Sequence, residues 1–295
     1  MGLDVTTWVK KGLIDYLSPQ DTMYADFNAP YEKFSALTRS SKCMLYPAML
    51  PWSSVRARNR LSGIPLSPAN QRALAHTFYG AGADGLSSYN DFTVMWNAPF
   101  YPQLMRIFHE LRDPARVARG ERHYIFDPTW AGLTGFGADG LASTGAMKAN
   151  KLVLQRIADA KGEYHFNLFE DFTQVYGASL LFRGFGMRDD DELEVRLNDH
   201  LIADSAIGRT LQTSPHPDWA HMRRAREQTF KNIPEQGRID FRKEAEPSFS
   251  TRWFDLSSTL VRWGENVLSI ALVKSDPQAT GQIVIDELES WVQPK

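Results

Sequence analysis

The sequence predicts a chain in two parts, parallel βα architecture over residues 1–130 and an antiparallel β-sandwich or jelly roll over 151–295. Three observations predict it. In the first part, short apolar runs alternate with helical patterns at about 30–40 residues per unit, the rhythm of strands joined by crossover helices. Residues 131–150, AGLTGFGADGLASTGAMKAN, are rich in small residues and lose any apolar period, as a linker does. Beyond them the apolar period becomes two, as in strands with one face buried.

The strand candidates of the first part are 13–17 (LIDYL), 43–46 (CMLY), 85–89 (GLSSY) and 124–126 (YIF), with helices expected at 29–39, 68–80 and 100–112. The helix at 68–80 is the best marked. Ser67-Pro68 supplies an N-cap followed by proline at the first helical position, and Gly80-Ala81-Gly82 can supply a left-handed end. In the second part, strands are expected at 151–157, 163–169, 178–185, 192–202, 248–256, 266–274 and 282–292. Polar turns such as 188–191 separate them, and one irregular insertion, 204–246, carries Pro215, Pro217, Pro234 and a basic stretch at 222–231 that reads as a solvated face.

Composition excludes several classes. The chain has 295 residues, 43% hydrophobic and 23% charged, so a globular core is expected rather than disorder. Thirty-three basic and 35 acidic side chains leave a net charge of −2, without the basic excess of a nucleic-acid protein. No apolar run reaches the roughly 18–20 residues that cross a bilayer. The start, MGLDVTTWVKKGLIDYL, lacks a secretory signal and meets a myristoylation pattern only formally, so the chain is expected to be soluble and not exported by a signal of its own. A lone cysteine, Cys43, rules out an internal disulfide framework and a Cys-rich zinc site, and is expected as a small apolar filler.

Several motif matches fail on context. Gly135-Phe136-Gly137-Ala138-Asp139-Gly140 satisfies G-x-G-x-x-G but sits in the linker, with no strand before it and no helix behind it to hold a pyrophosphate. GADGL occurs at 82–86 and 137–141 without matching surroundings, so it is no repeat. His216, Asp218 and His221 lie among prolines rather than on a metal-binding helix. The acidic run 189–192 fits no calcium loop and reads as a solvated turn. No G-x-S-x-G elbow is present. Neither a cofactor nor a metal is expected.

Parallel βα units place ligands at the C-terminal ends of their strands. Those ends read Ser18-Pro19-Gln20-Asp21, Tyr46 to Trp52, Tyr89-Asn90-Asp91 and Asp127-Pro128-Thr129-Trp130. Acids, amides and aromatics gather there as a carbohydrate cleft requires, with flat rings for sugar faces and polar groups for hydroxyls. Loop residues are also polar for no functional reason, and spacing does not choose between the two. Asp84 stands at a strand entry, the end that serves stability, and is not a catalytic candidate.

The segments GLDVTTWVKKGLIDYLSPQD, SPANQRALAHTFYGAGADGLSSYND and ERHYIFD resemble the second half of the barrel in bacterial glycoside-hydrolase-like proteins. Trp8, Gly12, Asp15, Tyr16, Pro19 and Gln20 match that family's W-x-x-x-G-x-x-D-Y-x-x-P-Q pattern. Tyr79, Gly82, Ala83, Asp84, Gly85 and Asn90 match its Y-x-x-G-A-D-G-I-Y-x-F-N pattern, with Ser87 and Ser88 where bulkier residues are usual. ELEVRLNDHLI and RWFDL…RWGENVLSIAL resemble the sandwich such proteins carry behind the barrel.

The resemblance implies an α/β partial TIM-like barrel of about four βα units, against about 250 residues for a full barrel, followed by the sandwich. It implies an oligo- or polysaccharide partner and hydrolysis of O-glycosidic bonds by paired carboxylates. Asp21 and Asp91 are then the candidate acids, Gln20 and Asn90 the amides for hydroxyls, and Tyr16, Trp52 and Tyr89 the sugar platforms. An incomplete ring exposes unpaired strand edges, so the chain is expected to self-associate or to meet a missing N-terminal half-barrel. Relatives of this kind point to a periplasmic or extracellular location. Two non-catalytic alternatives stand beside the enzyme. One is a scaffold protein. The other is a carbohydrate-binding module on a degenerate barrel remnant, for which Trp219, Trp253, Trp263 and Trp291 are available, two or three of them expected in the core.

Overall fold

The computed structural model describes residues 3–20, 25–53, 64–89, 100–126, 152–188, 190–203, 210–211 and 250–295. Its first part holds α1 (Val5–Lys10), β1 (Tyr16–Leu17), α2 (Tyr31–Thr38), β2 (Met44–Leu45), β3 (Ala48–Met49), β4 (Trp52–Ser53) and β5 (Ile64–Pro65). These are followed by α3 (Pro68–Gly80), β6 (Ser87–Ser88), α4 (Phe100–Leu111) and α5 (Pro114–Arg119). The predicted 68–80 helix is α3. Ser67 Oγ accepts the Asn70 N–H at 3.2 Å while Asn70 Oδ1 accepts the Ser67 N–H at 3.1 Å, a reciprocal cap. Gly82, at φ +96°, turns the chain out of the helix, in a place where a Cβ would strike the Ser35 hydroxyl.

Three short extended segments then run parallel. Residue 15–19 carbonyls accept the N–H groups of Met44, Tyr46 and Ala48, each at 2.9 Å. On the other side of the middle segment, Asp84, Ser87 and Tyr89 donate to Leu45, Pro47 and Met49 at 2.9, 3.0 and 3.0 Å. In this ribbon, ordered 15–19, 44–49, 84–89, Leu45 is fully buried while Tyr16 and Met44 on the adjoining strand positions remain exposed.

The remainder is antiparallel: β7 (Arg122–Ile125), β8 (Leu152–Leu154), β9 (Ala160–Leu168), β10 (Val175–Phe185), β11 (Glu192–Leu197), β12 (His200–Leu201), β13 (Thr210–Leu211), β14 (Ser250–Asp255), β15 (Gly264–Lys274) and β16 (Ile283–Pro294). One sheet runs β13-β14-β10-β16-β7, with β8 sharing the β7 edge of β16, and the other runs β12-β11-β15-β9. Strand β15 states the logic: Asn266, Leu268, Ile270 and Leu272 are buried and the residues between them are not. Phe182, Phe254, Leu288 and Val292 of the larger sheet join Tyr164, Phe166, Leu268 and Ile270 of the smaller in one apolar core.

This architecture corrects the expected fold class. Antiparallel sheets dominate, and no TIM-like α/β barrel, whole or partial, forms among the described residues. Parallel pairing is confined to the short ribbon. The fourth expected barrel strand, 124–126, lies in β7 and its extension, and pairs antiparallel with the end of β16, Tyr124 opposite Ser290 and His123 opposite Trp291. All four residues of β7 are buried, because helices cover it as well as the core. Continuous burial looks the same in a parallel strand and in a sandwich strand under helices, so periodicity alone could not separate them.

The acidic turn is a second correction. Asp191 is buried, not solvated: its carboxylate takes Arg156 Nη1 at 2.7 Å and Nη2 at 3.1 Å, and the backbone N–H groups of Arg188 and Asp276 at 2.7 and 2.8 Å. Burial pushes its pKa up, but those donors outweigh it and hold the carboxyl below the ordinary aspartate range. Among the described residues no helix is long and apolar enough to cross a membrane.

Candidate functional site

The ribbon carries most of the described part of the predicted site, Trp52 excepted. Tyr16 is 68% exposed and meets Tyr46 edge to face, ring centres 6.3 Å apart at 80°. Tyr46 lies flat against the backbone of Gly85, where any Cβ would overlap its ring; this is why a glycine follows Asp84. Its hydroxyl reaches Met44 Sδ at 3.7 Å. Two aromatic rings and a thioether are therefore fixed side by side on the open face, by packing rather than by chance rotamers.

Serines stand beside them. Ser87 donates to the Tyr46 carbonyl at 3.0 Å and lies 2.7 Å from Ser18 Oγ. Ser87 has one hydroxyl proton, already given to Tyr46, so Ser18 is the donor of the second bond. Ser18 is exposed, and its free lone pairs face solvent as acceptors. The serine at 87 thus has a structural account: a short side chain there closes a polar bridge across all three ribbon segments.

The predicted residues divide into three groups. Tyr16, Gln20 and Tyr89 belong to the ribbon, Gln20 and Tyr89 at its C-terminal end, both exposed, with the Tyr89 N–H held by Met49. Trp52 does not continue the ribbon; it turns into an antiparallel pair with β5, opposite Pro65. Asp21, Asn90 and Asp91 lie outside the described residues. Asp84 serves structure, its carboxylate taking the Leu45 N–H at 2.7 Å while its own N–H returns to the Leu45 carbonyl. Cys43 is buried, and that burial, with Asp15 and Asp84 nearby, pushes its thiol pKa up, away from thiolate chemistry. Sequence reasoning placed Tyr46 at the end of a strand candidate, 43–46, and did not nominate it as a site residue. The signal that could have placed it was Gly85, a glycine where a strand begins.

A second polar cluster was not anticipated. Arg122 of β7 grips Glu170 with two bonds, Nε to Oε1 at 2.6 Å and Nη2 to Oε2 at 2.8 Å, while Nη1 donates to the Ala118 and Gly120 carbonyls at 2.7 Å each. The Tyr124 hydroxyl donates a short bond to Glu170 as well, and His76 Nδ1 lies 3.4 Å from that hydroxyl. Burial pushes Tyr124 well up and His76 down, leaving both neutral near pH 7. Both Glu170 oxygens are committed, so the cluster is an anchor between α3, α5 and the sheets rather than a reactive centre. No group of three His, Cys, Asp or Glu side chains able to hold a metal occurs among the described residues.

No protein-family model matches the chain, and no curated protein matches it. Solved structures overlap it in part. One is a family 86 glycoside hydrolase in complex with neoagarooctaose, at 12% identity and TM-score 0.28, covering 58% of this chain and 19% of that one. A variant of that enzyme in the same complex gives 13%, 0.26, 48% and 18%. A β-porphyranase of glycoside hydrolase family 86 from the human gut bacterium Bacteroides plebeius gives 13%, 0.23, 46% and 20%. The chain spans about a fifth of the length of these glycoside hydrolases, and likeness at this level carries no argument about its fold or chemistry.

Proposed function

We propose that the protein is carbohydrate-active and that the open face of its parallel ribbon binds an oligosaccharide. One observation carries the reading: the exposed Tyr16 ring is braced by Tyr46, and Ser18 turns free acceptor lone pairs outward beside it. A pyranose ring has an apolar face for an aromatic surface and a rim of hydroxyls for acceptors, and this face offers both. Gln20 and Tyr89, at the end of the same ribbon, extend the surface in the direction a chain of sugars would run. The motifs shared with glycoside-hydrolase-like proteins fall on these segments.

The finer part of the proposal assigns acid chemistry to Asp21 and Asp91, which follow Gln20 and Tyr89 in sequence, and further sugar contacts to Asn90 and Trp52. Hydrolysis of an O-glycosidic bond needs two such carboxyl groups across it. The test has two stages. Isothermal titration with a panel of neutral and acidic oligosaccharides should detect binding that Tyr16→Ala weakens about tenfold, or about 1.4 kcal/mol. Reducing-sugar release from the bound substrate should then vanish in Asp21→Asn and Asp91→Asn with binding kept. Binding untouched by Tyr16→Ala overturns the site; binding without release by wild type assigns a binding protein instead of a hydrolase.

A further inference from the structure

The four tryptophans of the second half are sorted by the structure. Trp253 and Trp291 are half-buried in the larger sheet, Trp291 stacked on His123 with ring centres 3.7 Å apart, and Trp219 lies outside the described residues. Trp263 is different. It is 59% exposed, although indole is costly to leave in water.

Its position is fixed from both sides. The side chain of Asn266, wholly buried, accepts the Arg262 N–H at 2.8 Å and donates to the Arg262 and Gly264 carbonyls at 2.9 and 2.8 Å. One amide therefore clamps the residue before Trp263 and the residue after it. Asn198, also buried, supports the clamp by donating to Asn266 Oδ1 and to the Leu260 carbonyl, each at 2.8 Å, and accepting the Val267 N–H at 3.0 Å. Gly264 sits at φ +88°, a conformation that turns the chain abruptly into β15. The indole itself leans edge-on against Phe169, with ring centres 5.7 Å apart, which steadies it and leaves most of its surface to solvent. Two buried amides thus hold rigid a loop that presents a large aromatic ring outward.

The neighbourhood selects the ligand. An aromatic anchor for a protein partner sits in apolar, dry surroundings. Here exposed charged groups follow along the ladder: Arg262 adjoins Trp263, Glu265 pairs with Asn167, and His165 stands 3.1 Å from Glu265 and 3.6 Å from Glu163. Arg262 precedes Trp263 and Glu265 follows two residues on, both exposed. A loop that presents an aromatic ring together with a guanidinium and a carboxylate suits a polyhydroxylated ring, which stacks with one face and hydrogen-bonds along its rim.

We infer that Trp263, with Glu265 and Arg262, forms a second carbohydrate-binding site at the head of the β9–β15 ladder, separate from the ribbon. The choice of sugar as ligand rests on the reading under Proposed function; the site does not. Preorganisation by Asn198 and Asn266 removes the loop-ordering cost that exposed aromatic anchors otherwise carry.

Native affinity electrophoresis of the full chain in soluble xylan, mixed-linkage β-glucan, galactan and polygalacturonate tests it. At least one polysaccharide should retard wild type. Trp263→Ala should weaken that retardation at least tenfold in dissociation constant, Trp263→Tyr should keep it within about threefold, and Tyr16→Ala should leave the Trp263-dependent part in place. The fluorescence difference between wild type and Trp263→Phe should shift on adding the same polysaccharide, a change that a merely structural tryptophan would not give. If Trp263→Ala migrates as wild type while Tyr16→Ala loses binding, this inference fails and the ribbon site stands. If none of the four retards wild type, this inference fails, and the ribbon reading is decided by its own titration.

Discussion

The two antiparallel sheets and the parallel ribbon are built from the same kinds of residue and end in opposite states. In the sheets, alternation sends apolar side chains inward, and where charge must enter it is paired: Arg122 with Glu170, Arg156 with Asp191, His123 with Glu289. In the ribbon, each parallel pairing is two residues long, and Tyr16, Met44 and Tyr89 stay 68%, 43% and 43% exposed. Among the described residues, strand β1 pairs with β2 alone. The sheets bury one face of nearly every strand and leave single apolar side chains such as Tyr176 and Val273 outside; the ribbon gathers its exposed rings in one place.

The comparison breaks most sharply at the anchor. Arg122→Ala leaves Glu170 buried without its main partner, and a loss of about 3–5 kcal/mol is expected in denaturant unfolding. Arg122→Met combined with Glu170→Leu should recover much of that loss, because the cost lies in the orphaned charge. Next is Gly85→Ala, whose methyl group overlaps the Tyr46 ring and is expected to cost about 1–3 kcal/mol by overpacking. It should also weaken oligosaccharide binding, since Tyr46 braces Tyr16.

A smaller effect appears with pH. Burial first, and Arg122 second, lower the His76 pKa against the pull of Glu170. The unfolded chain then binds the proton more readily than the folded one. Stability is full above the unfolded value of about 6.5 and declines as pH falls from there toward the lowered folded value. His76→Gln should flatten that decline in a series of thermal melts. Asp191 acts lower on the scale: its depressed pKa gives stability present above the ordinary aspartate value, lost as pH drops through the folded one. The smallest change expected is that of Tyr16→Ala on stability, within about 0.5 kcal/mol, because the ring is mostly solvated.

Legibility in the sequence followed local determinants. Helix α3 was readable because Ser67, Pro68 and the glycines after it act within one turn of the chain. Strand β15 was readable because buried and unburied positions alternate over eight residues from Asn266 to Val273. The turn at Asn198-Asp199, both at positive φ, was hidden within an expected strand at 192–202 and splits it into the β11–β12 hairpin. Strand β7 was misassigned because its partner, β16, lies more than 150 residues away in sequence, Glu289 opposite Ile125. Asp191 looked solvated because its counter-ion, Arg156, lies on a separate segment of the chain that only the fold brings to it. In the ribbon, the places of Tyr16 and Tyr89 within apolar runs and of Gln20 just beyond one were legible. The Ser18–Ser87 bridge and the Tyr46–Gly85 contact were not, since each joins segments that only the fold brings together.

The most direct test of the open ribbon uses its thioether. In protein carrying 13C-methyl methionine, Met44 is the reporter beside Tyr46, while Met49 and Met187 are buried. Titration with the oligosaccharide that binds in calorimetry should move the Met44 methyl resonance in a saturable way and leave Met49 and Met187 in place. Saturable binding that leaves Met44 unmoved would contradict the assignment of this face as the sugar site.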